Sequence, residues 1–297
     1  MIEDLLLTVR KAQKKHYAIP AFNVSDLEMV QAIIRAAVKM KSPVIVQTSE
    51  SALKYAGAKT LAMIISSVAA DIGQAVPVAI HLDHGKHQAV INQCLRNGFN
   101  SVHRDASELP LAKNIAATRK TVLAARKFKA RVQGELGAIF GLEGLTKLKQ
   151  GFDQRQMMTD PRQVKEFVGR TGIDTLAISV GTIHGSFKGV EHIDVKLIKA
   201  IAREVTTPLV LHGGSGNDPR QIKAAIKAGV CIINVDTDLR LALVSGMRRA
   251  LKKPSKAGKV DPRAILLESY APMQAEAERL MKLFGSAGRA QLDAGRA

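Results

Sequence analysis

Val78-Ala79-Ile80-His81-Leu82-Asp83-His84-Gly85 begins as a short, mostly apolar run and ends in an acid, a histidine and a glycine. Residues Val78–Leu82 read as a strand buried on both faces, too short for a helix and too apolar for a surface strand. Ala89–Asn97 follows with apolar residues at helical spacing, and Gly98 stands where a left-handed helix cap is expected. Ser101–Arg104 is the next short run, so the stretch reads strand, helix, strand.

The same alternation continues in both directions. Further short runs are Ala18–Phe22, Val44–Gln47, Arg131–Leu136, Thr175–Ser179, Pro208–Leu211 and Cys231–Val235. Helical patterns lie between them at Leu27–Met40, Leu61–Gly73, Ala112–Lys127, Pro161–Arg170, Val195–Val205 and Pro219–Ala228. Asp160-Pro161 and Asp218-Pro219 place a capping carboxylate before a proline in the first turn, and Gly172 and Gly229 follow helical segments. Eight strands alternating with helices predict an α/β fold, a (β/α)8 TIM barrel in a single domain over residues 1–297 with a C-terminal helical extension. The one long loop, Gly141–Thr159, has the length of a functional segment.

Composition agrees with this and narrows the function. The chain has 297 residues, 46% of them hydrophobic but only 4% aromatic and none Trp, so the core is aliphatic, as in sheets covered on both faces. No stretch approaches the ~20 apolar residues that span a bilayer, and Glu3 and Asp4 near the start are unlike a signal peptide. Cys94 and Cys231 lack metal-ligand spacing and read as buried thiols; the expectation is a cytoplasmic protein. The formal charge of +18 is spread along the chain without interleaved aromatics, which suits a solvated basic surface better than a nucleic-acid platform.

Active sites of such barrels sit at the C-terminal ends of the strands. Reading each strand to its end gives Asn23, Ser49, Asp83-His84, Asp105, Glu135, His184, His212 and Asn234-Val235-Asp236, all able to bind metals, protons or hydroxyls. His84, His184 and His212 each stand beside a glycine at a strand end, and three protein ligands with one open position are what a catalytic zinc uses. His16, His87 and His192 read as surface residues, and His81 shares a strand face with Asp83. Gly213-Gly214-Ser215-Gly216 precedes a helix after strand seven, a common phosphate position in this fold, where the N–H groups of Gly213, Gly214 and Ser215 can approach an anion. Lys188 can neutralise a phosphate as a point charge.

These residues together resemble the class II, metal-dependent fructose-bisphosphate aldolases over nearly the whole chain. The resemblance runs from Ala21-Phe22-Asn23-Val24 through Ser49-Glu50, His81–Gly85, Gly134-Glu135-Leu136-Gly137 and Gly141-Leu142-Glu143. It continues in Gly181–Gly185, His212–Ser215, Ile233–Arg240 and Asp261-Pro262-Arg263. It implies that His84, His184 and His212 hold Zn²⁺, with Glu135 and Asp105 beside it at a further or alternative cation position. It implies that Asp83 is the acid for the aldehyde or alkoxide oxygen and that Glu143 moves the proton on the substrate carbon. Asn23, Ser49, Asn234 and Asp236 match substrate contacts. Gly185, Lys188, Gly213, Gly214, Ser215 and Thr237 match a phosphate cradle, where the family also tends to hold a monovalent cation, Na⁺ or K⁺. The implied partner is a sugar bisphosphate, and the implied assembly a homodimer or homotetramer.

Two strands depart from the family text. Where it is close to Ser-Val-Met-Ile-Asp, this chain reads Ser101-Val102-His103-Arg104-Asp105, and where it has Glu-x-Glu, this chain has Gln133-Gly134-Glu135. Arg104 in a barrel strand needs a partner, and Asp105 and Glu108 are near it in sequence. Fructose 1,6-bisphosphate leads as substrate, with tagatose 1,6-bisphosphate or another ketose phosphate as the alternative. A non-catalytic basic barrel that binds nucleic acid is the alternative from another class.

Overall fold

A computed structural model describes residues 2–139, 157–182, 192–252 and 261–290. Eight parallel strands close into a barrel in chain order: β1 (Ile19–Asn23), β2 (Val44–Ser49), β3 (Val78–Gly85), β4 (Ser101–Arg104), β5 (Arg131–Leu136), β6 (Thr175–Ile178), β7 (Leu209–Leu211) and β8 (Val230–Val235). Pairing of β1 with β8, Ile19 opposite Ile232 and Ala21 opposite Asn234, shuts the barrel. The TIM barrel expected from the alternation is therefore present.

Helices alternate with the strands: α1 (Leu5–Lys14), α2 (Leu27–Met40), α3 (Glu50–Ala56), α4 (Ala58–Asp71), α5 (Gln88–Arg96), α6 (Leu111–Arg126), α7 (Pro161–Thr171), α8 (Val195–Glu204), α9 (Pro219–Ala228), α10 (Thr237–Leu251) and α11 (Pro262–Leu283). Asp160 and Asp218 cap α7 and α9 by accepting the N–H groups of Arg162 and Arg220, as the Asp-Pro pairs foretold. Gly172, at φ 71°, takes the left-handed turn at the end of α7.

The apolar residues divide into two layers. Outward-facing strand residues such as Phe22, Val46, Ile80, Leu82 and Val102 pack under the helices with Ile33, Leu61, Ile91 and Phe167. Burying a side chain of this size contributes roughly 1.5–3 kcal/mol. Inside the barrel, Ile19, Ile45, Ala79, Val210 and Ile232 meet Leu5, Val9 and Ala12 of α1, which seals the N-terminal mouth. Below it Arg131 bridges Asp4 and Asp174. With that end filled by hydrocarbon, the polar residues of the strands collect at the other.

The strand β3 runs to Gly85, three residues past the apolar run, because a bulge carries its pairing onward. Leu82 lies opposite Val102 and Gly85 opposite Arg104, so Asp83 and His84 together face His103. His84 takes up the extra residue in a left-handed conformation, φ 47°, a cost of about 1–3 kcal/mol that concentrates at functional sites. Gly85 is required next to it, since a Cβ there would stand 2.5 Å from the carbonyl oxygen of His103. Arg104 is not paired with Asp105 or Glu108, as its neighbours in sequence suggested. Strand alternation turns it outward from the barrel, where its guanidinium donates to the Lys86 carbonyl at 2.7 Å, while Glu108 accepts from the Lys86 ammonium.

Candidate active site

Alternation along the strands brings one inward-facing polar residue after another to the C-terminal mouth. Asn23, Asp83, His84, His103, Asp105, Glu135, His212 and Asn234 are all buried there. Hydrogen bonds link most of them. The Gln47 amide donates to Asn23 at 2.7 Å, the Asn23 amide donates to Asp83 at 2.9 Å, and the Asn234 amide donates to the other Asp83 oxygen at 3.2 Å. Two amides thus hold the Asp83 carboxylate by its two oxygens.

Opposite Asp83 stand the histidines. His84 Nε2 and His212 Nδ1 face each other at 2.9 Å, and each lies 4.0 Å from Asp83 Oδ1. The other nitrogen of each ring is engaged from behind: His84 Nδ1 with Asp105 Oδ2 at 2.9 Å, His212 Nε2 with the Gln133 amide at 2.9 Å. His103 adds a third ring to the cluster, its centroid 4.9 Å from that of His84 and 5.1 Å from that of His212. Its Nε2 is 3.3 Å from Glu135 Oε2, yet neither atom makes an aligned hydrogen bond among the described residues.

The charges follow from this packing. Burial alone would raise the Asp83 pKa, but the facing His84 and the Asn23 amide outweigh it and hold the carboxylate below its ordinary value. Burial disfavours the charged form of His84, and the surrounding carboxylates of Asp83, Asp105 and Glu135 overturn that, pushing its pKa up to about 10. Asp105 is buried too, and its bond to His84 leaves it well below the carboxylate range. Glu135 moves the other way: burial and then the charge of Asp105 raise it.

This donor set fits a metal ion. Ring nitrogens and carboxylate oxygens of Asp83, His84, His103 and His212 lie within 4.8 Å of one another, as do those of His84, Asp105 and Glu135. Buried, unpaired His103 Nε2 and Glu135 Oε2 are where an orphaned polar pair calls for a partner. Mixed imidazole and carboxylate ligation suits zinc and its transition-metal neighbours.

The rest of the expected site divides in three. Asn23, Ser49 and Asp236 line one cleft of about 430 Å³ beside the metal position, with Ser51 and Arg240. Ser215 reaches the start of α10, which opens with Thr237, and its Oγ accepts the Asp238 N–H at 3.2 Å. The Gly214 N–H donates to the Asn234 carbonyl at 2.9 Å, and a Cβ there would lie 2.5 Å from Ile233. This glycine packs the loop onto β8, beside Gly213. Glu143, His184, Gly185 and Lys188 lie outside the described residues.

Sequence reading noticed His103 and Gln133 only as departures. Their signal was the period of two: counting back from Asp105 and Glu135 on inward-facing positions reaches both. Of the other histidines, His16, His87 and His192 are exposed, while His81 is buried with its Nδ1 2.7 Å from Ser101 Oγ.

Known proteins match nearly the whole chain. The sequence profile described as "Fructose-bisphosphate aldolase class-II" matches residues 3–289. A fructose-bisphosphate aldolase of Thermus caldophilus is 37% identical over 313 residues, covering 98% of this chain and 100% of the relative. Among solved structures, the YdjI aldolase of Escherichia coli K12 is 32% identical with a TM-score of 0.85, covering 98% of this chain and 100% of that one. Fructose-bisphosphate aldolase (Fba) from Campylobacter jejuni is 25% identical with a TM-score of 0.80, covering 95% of this chain and 94% of its own. With a matching barrel and a metal-ready cluster at its mouth, the chain belongs to the class II fructose-bisphosphate aldolase family, and is a metal-dependent aldolase.

Proposed function

We propose that this aldolase cleaves fructose 1,6-bisphosphate reversibly to dihydroxyacetone phosphate and glyceraldehyde 3-phosphate, with Zn²⁺ held by His84, His212 and His184. The observation that carries this reading is the Asp83 carboxylate, fixed by Asn23 and Asn234 and 4.0 Å from the two facing histidine nitrogens. When bound, the ion polarises the ketose carbonyl and stabilises the negative charge that develops as the carbon–carbon bond breaks. In cleavage, Asp83, kept ionised, takes the proton of the C4 hydroxyl; in synthesis it returns that proton to the aldehyde oxygen. Glu143 moves the proton at the carbon of the three-carbon product. Glu135 and Asp105 supply a further cation position, and Asn23, Ser49, Asn234 and Asp236 orient substrate hydroxyls.

Gly213, Ser215 and Thr237 cradle a phosphate at the N-terminus of α10 with Gly185 and Lys188, and backbone oxygens there hold Na⁺ or K⁺. Leu241, Leu251 and Leu267 stand exposed on α10 and α11, a face that assembly as a homodimer or homotetramer would cover. Among the described residues no helix is long and apolar enough to cross a membrane, and we place the enzyme in the cytoplasm.

The decisive experiment is cleavage of fructose 1,6-bisphosphate before and after chelation, with zinc added back. Loss on chelation and return with zinc support reaction and metal together. Inactivity of zinc-loaded protein toward fructose 1,6-bisphosphate, with turnover of the tagatose epimer, would move the substrate assignment and keep the chemistry.

A further inference from the structure

Gln133 on β5 stands behind the metal-facing histidine rather than beside the ion. It is 2% exposed, and its amide nitrogen lies 2.9 Å from His212 Nε2, the ring nitrogen remote from His84, an orientation in which the amide donates and the ring proton sits on Nδ1. The other nitrogen, Nδ1, faces His84 Nε2 at 2.9 Å and is the one a metal would take. A neutral imidazole carries a single proton, so His212 can ligate through Nδ1 only with that proton on Nε2. Nε2–H then needs an acceptor, which the Gln133 amide becomes by turning half round to present its oxygen.

An amide differs from a carboxylate here in two ways. As a neutral acceptor it makes a weaker bond to Nε2–H, and so leaves His212 a less basic ligand. As placed it donates to Nε2, which suits the tautomer with the proton on Nδ1 and the ring closed to metal, and it can turn half round to accept from the other. A carboxylate only accepts and would hold the ring ready for metal at all times.

We propose that Gln133 is a positioning residue that sets the tautomer of His212 and, being neutral and reversible, makes metal binding at this centre weaker and more exchangeable than a glutamate there would. The inference rests on the reading of His212 as a metal ligand. Gln133 and His103 are register partners across β4 and β5, so both departures from the family text meet at the same ring, with His103 4.9 Å from His84 and 5.1 Å from His212.

The test is zinc affinity of the metal-free protein, by competition with a chromogenic chelator, for wild type, Gln133→Met and Gln133→Glu. Loss of a hydrogen bond behind a ligating histidine weakens metal binding about 10- to 100-fold, and that is the result expected for Gln133→Met. Gln133→Glu is expected to tighten binding by about tenfold. Added negative charge alone would also tighten it, so the tautomer is read directly from ¹⁵N-histidine spectra. His212 should carry its proton on Nε2 in zinc-loaded wild type, and in the Gln133→Glu protein both with and without zinc. Metal-free wild type should show tautomer exchange. Wild-type affinity in Gln133→Met, or a His212 tautomer indifferent to residue 133, would overturn the inference while leaving the metal site standing. Failure of wild type to bind zinc would overturn the metal reading and this inference with it. Should Gln133→Met fail to fold, the spectra of wild type and Gln133→Glu decide the matter alone.

Discussion

The backbone N–H of His84 donates to Nδ1 of His103 at 3.2 Å. Ordinarily that N–H would join the ladder between β3 and β4, but the bulge takes it out of register and His103 receives it instead. The bond fixes the tautomer of His103: Nδ1 accepts, so its proton sits on Nε2, toward Glu135. One side chain therefore accepts the displaced His84 N–H and turns its other nitrogen toward Glu135 Oε2, 3.3 Å away.

Replacing His103 by Leu should expose what that arrangement contributes. The His84 N–H would be left buried and unpaired, at about 1–3 kcal/mol, and Glu135 would lose the neighbour that offsets its burial. Chemical denaturation of the metal-free protein should show that loss, and a metal titration should show a weaker second equivalent. Unchanged stability would mean that the bulge is held by its ladder alone.

The barrel was legible because its strands are short apolar runs and its helices carry Asp-Pro and glycine boundaries, both local signals. Most of the mouth was legible as well, since polar residues at strand ends have one place to go. The bulge at Asp83-His84 was not, because it depends on which residue of β4 lies opposite, and no local pattern carries register. The partner of Arg104 was misjudged for the same reason: nearness in sequence ignores the pleat, which sends residues 104 and 105 to opposite faces. The bond from the Gly214 N–H to the Asn234 carbonyl was not legible either, because it joins residues far apart in the chain.

Asp83→Asn should keep the fold and the metal, since an amide fills the same space between Asn23 and Asn234. Turnover should fall by about 10²- to 10⁴-fold, the usual worth of a positioned acid–base group. A companion variant, Asn23→Ala, removes one of the groups that lowers the Asp83 pKa. The acid limb of its kcat/KM profile should shift to higher pH, because a carboxylate with fewer donors protonates earlier. A profile that stays in place would remove Asp83 as the titrating base.

Glu143→Gln is the corresponding test of proton transfer at carbon. Zinc content and substrate binding should be retained while turnover is lost, and exchange of the dihydroxyacetone phosphate proton with solvent should stop. Retained exchange would assign that step to another residue.

Stability of the metal-free protein should depend on pH through two histidines of opposite sign. Burial holds His81 at about 3, against 6.5 for a free imidazole. Below pH 6.5 the unfolded chain binds a proton at this residue that the folded one refuses, so stability falls as pH drops toward 3. His84 is pushed up to about 10 by its carboxylates; its contribution is complete below pH 6.5 and is lost as pH rises through 10. Each pH unit of mismatch is worth about 1.4 kcal/mol, so each limb amounts to several kcal/mol. Relative to wild type, His81→Asn should flatten the acid limb and leave the alkaline one, while His84→Ala should remove the alkaline limb and also alter the acid one, because His84 holds Asp83 and Asp105 down, in denaturant titrations at a series of pH values. Zinc should erase the alkaline limb of the wild type, because the ion takes the place of the proton that His84 would otherwise lose. An alkaline limb that survives zinc loading would show that the ion binds elsewhere than between His84 and His212.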